Sequence, residues 1–382
     1  MNFFGIYIHV PFCRQACSYC DFYFVTRESL MSEYITSLCN EIRLVLPSYS
    51  DGKTLQTIYL GGGTPSRLPI RDIESVIKTI FENTAQHQIS EITLEANPDD
   101  ITKEYLNDLK SIGVSRLSMG IQSFDPILLK FMNRAHTADE ARKSLELIHD
   151  TGFKTFSADL IYGNPGQTDD SLQNDIQCLL DFSPPHISAY ALTIEPGTRL
   201  GKASSLGRLV PADDELVARH MQIVTDTLLS HGIMRYEVSN FALPGHESIH
   251  NSNYWSHTPY IGFGPAAHSL EIVSEKSGKM LSGTRYSNPR DLKKWIISPT
   301  LRDQIEELTL SQLAEERLLM GLRTATGVSI AELKHRYDYE LSDRQIQWIQ
   351  KRDDLTLDGA LKIHPEGFAI ADSLILEIIT RH

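Results

Sequence analysis

The first half of the chain alternates short runs of β-branched and aromatic residues with longer amphipathic stretches, and this alternation restricts the fold more than any other feature. Such a pattern is typical of βα units around a parallel sheet. A closed barrel of this type needs eight strands. Only six are found, so the sequence predicts an incomplete (β/α)6 barrel of the TIM type, open on one side. The predicted strands are 4–10, 57–60, 91–94, 116–121, 155–161 and 186–191, and the predicted helices are 29–46, 70–81, 103–112, 137–151 and 169–180.

The periodicity of apolar residues changes twice in the second half of the chain. This predicts three domains: a partial barrel over 1–235, a linker over 236–300 and a mostly helical domain over 301–382. After a helix at 213–230, the stretch up to 300 shows little periodicity. From 308 onward, the patterns predict helices, a hairpin at 354–363 and a final helix from 368, an order typical of a winged helix. No dense basic face accompanies it, so we expect a packing or lid domain that binds no nucleic acid.

Three of the five cysteines, Cys13, Cys17 and Cys20, form a C-x3-C-x2-C loop directly after the first predicted strand. Thiolates are soft ligands that favour iron–sulfur clusters, zinc and cuprous copper. A structural zinc site needs a fourth ligand, for which His9 would have to fold back from the strand end. The loop therefore favours a 4Fe-4S cluster with one iron left without a cysteine, and a zinc site remains the alternative.

Charge, hydropathy and cysteine content limit the binding partners and the cellular compartment that we expect for this protein. The net charge of −13 argues against broad affinity for nucleic acid or anionic lipid. No segment is long and apolar enough to span a bilayer, and the beginning of the chain does not resemble a cleavable signal. The chain has five cysteines, an odd number, and three of them share one loop, so they do not form a disulfide framework. Unpaired cysteines are typical of a reducing compartment, and we therefore expect a cytoplasmic location.

Polar residues follow the predicted strands at their carboxyl ends, where ligands gather in parallel α/β barrels. Strand two ends in three glycines followed by Thr64, and these leave backbone groups accessible to a ligand. This is not a phosphate-binding loop, because the Gly-Lys-Ser/Thr ending is absent. Glu95 and Gln122 end the next two strands, and Asp159 lies near the end of the fifth. One such residue could simply cap a helix, but three in comparable places indicate a binding site.

The cysteine spacing, with Tyr19 before the last cysteine, resembles the radical S-adenosylmethionine (SAM) superfamily. Four further motifs occur in order, namely GGGTP at 61–65, ExNP at 95–98, GxQS at 120–123 and DLIYGxPGQ at 159–167. Together they resemble the oxygen-independent coproporphyrinogen III dehydrogenase-like family over nearly the whole chain. A set of motifs in fixed order is much more specific than the cysteine spacing alone.

The resemblance implies a 4Fe-4S cluster whose open iron is chelated by SAM and which, once reduced by an electron donor, cleaves SAM to a 5′-deoxyadenosyl radical. It implies that the three cysteines are the cluster ligands. It also implies a set of SAM contacts from the barrel strands and from the loop after residue 131. Those contacts are Tyr7, Tyr19, Gly62, Gly63, Thr64, Glu95, Gln122, Arg134, Asp159 and Ala191.

Two branches of this family differ in function, and the sequence favours the heme chaperones over the dehydrogenases of porphyrin biosynthesis. The dehydrogenases carry another cysteine where this chain has Phe22, and they have a long extension before the cluster, where only twelve residues precede Cys13. The residues His250, Asn251, Tyr254 and Trp255 match the HNxxYW motif associated with the chaperones.

The motif predicts heme binding, because histidine is a common axial ligand of heme iron and aromatic rings pack on porphyrins. His250 is the favoured contact, and His246, His257 and His268 lie close enough in sequence to serve instead. The resemblance thus implies a heme chaperone that passes heme to an acceptor protein. The alternative is oxidative decarboxylation of coproporphyrinogen III, in which case the protein would be an enzyme.

Overall fold

The computed structural model describes residues 2–381, and its first half consists of six βα units in succession. Every predicted strand and helix of this half is confirmed. Their predicted first and last residues agree with the structure within three residues, except that β3 begins four residues earlier than predicted. One short helix, α4, was not predicted. The elements are β1 (Phe3–Val10), α1 (Met31–Tyr49), β2 (Thr54–Gly62), α2 (Ile70–Glu82), β3 (His87–Ala96), α3 (Lys103–Ser111), β4 (Arg116–Gln122), α4 (Pro126–Phe131), α5 (Ala138–Thr151), β5 (Thr155–Tyr162), α6 (Asp169–Leu180) and β6 (His186–Ala191).

Strands β1 to β6 lie side by side in chain order and are all parallel, as the predicted partial barrel requires. Most of their residues are buried, and in most of these strands apolar residues alternate with polar ones, as in Arg116-Leu117-Ser118-Met119 of β4, so that one face packs in the apolar core. In β1, for example, Phe4, Ile6, Ile8 and Val10 have no exposed surface, and neither does Trp295 in the same core.

The middle of the chain adds further elements to both sides of these six strands. They are α7 (Arg199–Ser205), α8 (Asp214–Ser230), β7 (Met234–Arg235), β8 (Asn240–Ala242), α9 (Ile249–Trp255), β9 (Tyr260–Phe263), β10 (His268–Ser274), β11 (Met280–Ser287), α10 (Leu292–Ile297) and β12 (Asp303–Leu308). The complete sheet has twelve strands in the order β12-β11-β10-β9-β1-β2-β3-β4-β5-β6-β8-β7.

The low regularity predicted between 236 and 300 is wrong, because this stretch supplies four strands of the main sheet and two helices. β9 runs parallel to β1, and β10 to β12 continue the sheet in antiparallel order. These strands are stabilised by partners far away in the sequence, and local periodicity does not report such pairing. The division into three domains stays a prediction.

The last part of the chain confirms the predicted order of helices and hairpin. Its elements are α11 (Leu310–Gly321), β13 (Val328–Ser329), α12 (Ile330–Tyr337), α13 (Asp343–Ile349), β14 (Leu355–Asp358), β15 (Ala360–Ile363) and α14 (Ala371–Ile379). The three short strands form a separate sheet in the order β13-β15-β14. The core of this part also includes Leu270, Met280 and Leu308. The helices therefore pack against the β10–β12 side of the main sheet.

A buried carboxylate joins helix α1 to the later strands. The side chain of Glu41 has no exposed surface. It accepts hydrogen bonds from the Gly264 backbone N–H, from Asn288 Nδ2 and from Arg302 Nη1, each at 2.9 Å. Buried charges in proteins are normally paired and hydrogen-bonded in this way. Glu41 thus fixes the segment 264–302, which forms one wall of the cavity described below. Within residues 2–381, no helix is both long and apolar enough to cross a membrane.

Candidate cluster and cofactor site

A large cavity of about 1030 Å³ opens at the carboxyl ends of the parallel strands. All the favoured cluster, SAM and heme residues line it except Trp255, which ends α9 outside this lining and whose Nε1 is buried without a hydrogen-bond partner. Of the three alternative heme contacts, His268 lines the cavity, whereas His246 and His257 do not. The predicted residues that line the cavity are Tyr7, Cys13, Cys17, Tyr19, Cys20, Gly62, Gly63, Thr64, Glu95, Gln122, Arg134, Asp159, Ala191, His250, Asn251 and Tyr254.

The three cysteines of the loop after β1 face this cavity as free, half-buried thiols. Thr64 Oγ1 donates to Cys13 Sγ at 3.6 Å, and Arg134 Nη1 donates to Cys17 Sγ at 3.3 Å. Burial raises the pKa of Cys13 and of Cys20 to about 11. Their thiolate forms therefore need a bound cation at neutral pH, as metal coordination provides.

This donor set fits an iron–sulfur cluster held by three cysteines. All three sulfurs are soft ligands on one loop, and the remaining thiols, Cys39 and Cys178, line no part of the cavity. Phe22 stands where a further cysteine would follow, and its side chain is 68% exposed. Among residues 2–381, no three His, Cys, Asp or Glu side chains are arranged to hold a single metal ion. The case for the cluster therefore rests on the spacing and on the shared cavity.

Arg134 brings a positive charge next to the thiols and is fixed by contacts on several sides. Its Nη2 donates to Asn97 Oδ1 at 2.6 Å and to the Gly120 carbonyl at 2.8 Å, and its Nη1 lies 3.4 Å from Tyr19 OH. Its Nε is buried without a partner. An unpaired buried donor in the wall of a cavity suits an anionic or oxygen-bearing ligand. This observation fits the predicted role of Arg134 in SAM binding.

Glu95 and the backbone of Gly62 form a connected pair at the ends of β3 and β2. Glu95 accepts from Tyr59 OH at 2.7 Å and from the Gly62 N–H at 3.0 Å, and burial raises the pKa of Glu95 to about 7. Gly62 has φ +108°, and a Cβ there would lie 2.6 Å from the ring of His9. Only glycine fits this position, as expected where a backbone must come close to a neighbour.

His9, the candidate fourth zinc ligand, has both ring nitrogens engaged elsewhere. Its Nε2 lies 2.8 Å from the Tyr23 carbonyl oxygen, and its Nδ1 lies 3.3 Å from Tyr7 OH. Burial lowers the pKa of His9 to about 4, so the ring is neutral. In this arrangement His9 supports the cavity floor beneath Gly62 and gives no support to a zinc site.

Two further polar residues lie on β4 and β5 in unusual environments: Gln122 ends β4, and Asp159 is the fifth of the eight residues of β5. Asp159 accepts hydrogen bonds from Ser118 at 3.2 Å and from Ser157 at 3.1 Å, and burial raises the pKa of Asp159 to about 6. Gln122 has φ +67°, which is uncommon for a residue other than glycine and tends to occur at functional sites. Carboxylates and amides of this kind suit the ammonium group and the ribose hydroxyls of SAM. The assignment of single residues to parts of SAM stays a prediction.

His250 lies in the cavity wall, where both of its ring nitrogens are hydrogen-bonded. Its Nδ1 lies 2.8 Å from Thr57 Oγ1, and its Nε2 lies 3.0 Å from Tyr254 OH. The ring also stacks on Tyr59 at 5.0 Å, and the residue is only 2% exposed. Ligation of heme iron by His250 would require one of these bonds to break. Its role as the heme contact stays a prediction.

Sequence reasoning gave little weight to a further group of residues that line the same cavity. They come from the cysteine loop and from the strands after residue 264: Phe22, Phe24, His268, Asn288, Arg290 and Gln304. The signal that could have found them is the glycine-rich run at 262–267, which resembles only half of a dinucleotide fingerprint. That run begins at the end of β9, next to β1, and this is why the residues after it reach the cysteine loop.

Acid should weaken the protein through His250, because burial lowers the pKa of this histidine from 6.5 to about 3. Below pH 6.5 the unfolded chain binds a proton that the folded chain excludes, so this contribution to stability is lost as the pH falls. We expect the stability advantage of the parent over His250→Gln to shrink by about 2 kcal/mol between pH 7 and 5. Urea unfolding of both proteins at each pH measures it. An advantage that stays constant would contradict a buried neutral His250.

Comparisons with known proteins agree with the motifs and the cavity. The sequence profile of the radical SAM superfamily matches residues 7–179 of this chain. A protein of Bacillus subtilis named heme chaperone HemW is 35% identical over 344 residues, which cover 88% of this chain and 87% of that relative. A relative of the same name from Escherichia coli is 34% identical and covers 75% of this chain and 74% of its own length.

A solved structure shows that the fold is that of a radical SAM enzyme. The coproporphyrinogen III oxidase HemN of Escherichia coli superimposes with a TM-score of 0.82, covering 99% of this chain and 90% of the enzyme. The two sequences are 20% identical, so this likeness concerns the fold alone. The family, in contrast, is shown by relatives of higher identity over most of both chains. The chain therefore belongs to the radical SAM superfamily and, within it, to the family of the heme chaperone HemW.

Proposed function

We propose that the protein is a heme chaperone, which holds a SAM-coordinated 4Fe-4S cluster, binds heme and passes it to an acceptor protein. The observation that carries this proposal is the 35% identity, over most of both chains, to a relative named heme chaperone HemW. The substitution of Phe22 for the additional cysteine of the dehydrogenases supports the same choice.

The size of the cavity supports a site for more than one ligand. Pockets for a single small molecule have volumes of about 300 to 1,000 Å³. The cavity of about 1030 Å³ lies at the upper end of this range, and its lining includes the three thiols, the HNxxYW segment and the strands after residue 264. We infer from this extent that a cluster with SAM and a porphyrin share it.

In this proposal the side chains that line the cavity bind the cluster and SAM and neutralise part of their charge. When bound, the cluster supplies single electrons and an open iron for SAM. The three cysteines donate their thiolates, and Arg134 offsets part of their negative charge at 3.3 Å from Cys17 Sγ. Glu95 and Asp159 hold polar parts of SAM from the carboxyl ends of the strands. An electron donor for the cluster and an acceptor for the heme complete the scheme, and the free cysteines suit a cytoplasmic setting.

The proposal is tested by titrating hemin into the anaerobically reconstituted protein and following the Soret band. We expect saturable binding, followed by loss of the band from the protein when an apo form of a b-type cytochrome is added in excess. In a parallel assay with reductant and SAM, coproporphyrinogen III should remain unchanged. Conversion to protoporphyrinogen IX without saturable hemin binding would contradict the chaperone function and establish the dehydrogenase instead.

A further inference from the structure

The histidines near the cavity differ in whether a ring nitrogen is available to a metal. His9 and His250 line the cavity, but each has both ring nitrogens hydrogen-bonded. His257 contacts Tyr337 and Glu316 through its two nitrogens and lies outside the lining. These three histidines therefore contribute to the packing of the protein in the structure as it stands.

His268 is different, because it is exposed and lines the cavity at the start of β10. Within residues 2–381, no hydrogen bond occupies its ring nitrogens. Partial burial, together with the positive charges of Arg285 and Arg290, lowers the pKa of His268. The ring is thus neutral at pH 7, as an axial ligand of heme iron must be.

The surroundings of His268 offer the other two contacts that a heme requires. A porphyrin has an apolar ring, which packs on aromatic faces, and two propionates, which pair with cations. Phe22 lines the same cavity with its side chain 68% exposed. Arg290 also lines it and is largely exposed; it donates one hydrogen bond to the Asp21 carbonyl, and its Nη2 lies 3.9 Å from the Asp21 carboxylate. An exposed ion pair at this distance is weak, so the other N–H groups of Arg290 are available to a propionate.

We propose that His268 is the axial ligand of the heme iron, with the porphyrin ring packed against Phe22 and a propionate paired with Arg290. This inference rests on the proposed function and adds the ligand and the orientation of the heme. The iron is then bound on the wall formed by the strands after residue 264. The HNxxYW segment of α9 lies beside this wall, where Tyr254 contacts Tyr260 of β9 with the ring centroids 4.7 Å apart, and it keeps its internal hydrogen bonds.

Hemin titrations of four proteins test the ligand: the parent, His268→Ala, His250→Ala and His335→Ala. His335 is the matched control, because it is an exposed histidine on α12 that does not line the cavity. We expect His268→Ala to weaken binding by about tenfold or more and to change the Soret and visible bands. Added imidazole should restore the parent spectrum, which a purely structural role would not allow. The control should match the parent.

The outcomes separate the inference from the proposed function. If the parent shows no saturable binding, the proposed function fails. If the parent binds hemin and His268→Ala retains its affinity and spectrum, the function stands and the assignment of His268 fails. If His250→Ala alone loses the parent spectrum, the ligand lies on α9. Circular dichroism and the iron content of each variant check that the fold and the cluster are intact.

The propionate contact is tested with Arg290→Gln and with the dimethyl ester of hemin, which lacks the propionate charges. Since Arg290 is largely exposed, we expect the variant to bind hemin only about threefold more weakly. The ester should bind equally well to the variant and to the parent, because it has no charge for Arg290 to pair with. If Arg290→Gln lost the same affinity for hemin and for the ester, the ion pair would be contradicted. The assignment of His268 as the iron ligand would still stand.

Discussion

Replacement of Cys17 by serine is expected to abolish the iron–sulfur cluster, with loss of the broad absorbance near 400 nm and of bound iron and sulfide to about background. A serine hydroxyl is a hard ligand that does not replace a thiolate. The cysteine loop offers only three sulfurs, and Phe22 supplies none, so two remaining thiols cannot hold the cluster. Iron and sulfide analysis after anaerobic reconstitution measures the effect.

The matched control is Cys178→Ser, since Cys178 is a half-buried free cysteine that does not line the cavity. Its iron and sulfide content should equal that of the parent. Retention of a full cluster by Cys17→Ser would show that the ligand set lies elsewhere. Equal losses in both variants would indicate that the fold, rather than the ligand, had been damaged.

Replacement of Glu41 by alanine is expected to lower the free energy of unfolding by about 3 to 5 kcal/mol, as is typical when one partner of a buried ion pair is removed. The change leaves Arg302 without its carboxylate and the Gly264 N–H without its acceptor, and it leaves Asn288 Nδ2 with the Gly264 carbonyl alone. Urea unfolding of the parent and the variant measures the difference.

Glu33→Ala is the control for this change, because Glu33 is an exposed acid on the same helix, α1. We expect it to lower the free energy of unfolding by no more than about 1 kcal/mol, because the main contribution of an exposed acid in the first turn of a helix is its interaction with the helix dipole. Glu41→Gln should have an intermediate effect, because its amide oxygen still accepts a hydrogen bond while the charge is lost. A loss below about 1 kcal/mol in Glu41→Ala would contradict a tight buried network.

The sequence predicts the six parallel strands well because each carries its own signal. Each strand is a short run of β-forming residues that ends in turn-forming residues, and the helices between the strands show a 3.6-residue period. β9 to β12 give no such signal. β9 has only four residues and depends on pairing with Gly5 to Ile8 of β1, more than 250 positions earlier in the chain. Pairing at that distance leaves no local pattern.

In the candidate site, too, residues with a local sequence pattern could be predicted, whereas contacts between residues far apart in the sequence could not. Cys13, Cys17 and Cys20 could be singled out from their spacing, and Glu95 from its place at the end of a strand. The hydrogen bonds that occupy both nitrogens of His250 come from Thr57 and Tyr254, and the first of these lies far away in sequence. Only the three-dimensional structure therefore separates a histidine that packs the interior from one, such as His268, that faces the cavity.

The position of β1 in the sheet has a consequence for the order in which the protein matures. β1 lies between β2 and β9, and β9 is synthesised about 250 residues after the cysteine loop. At about 5 to 20 residues per second, the ribosome needs on the order of 12 to 50 s for that stretch. During this interval the nascent chain presents its three thiols in a half-built sheet. We therefore expect the three thiols to be more accessible on the nascent chain than in the folded protein, where they are half-buried.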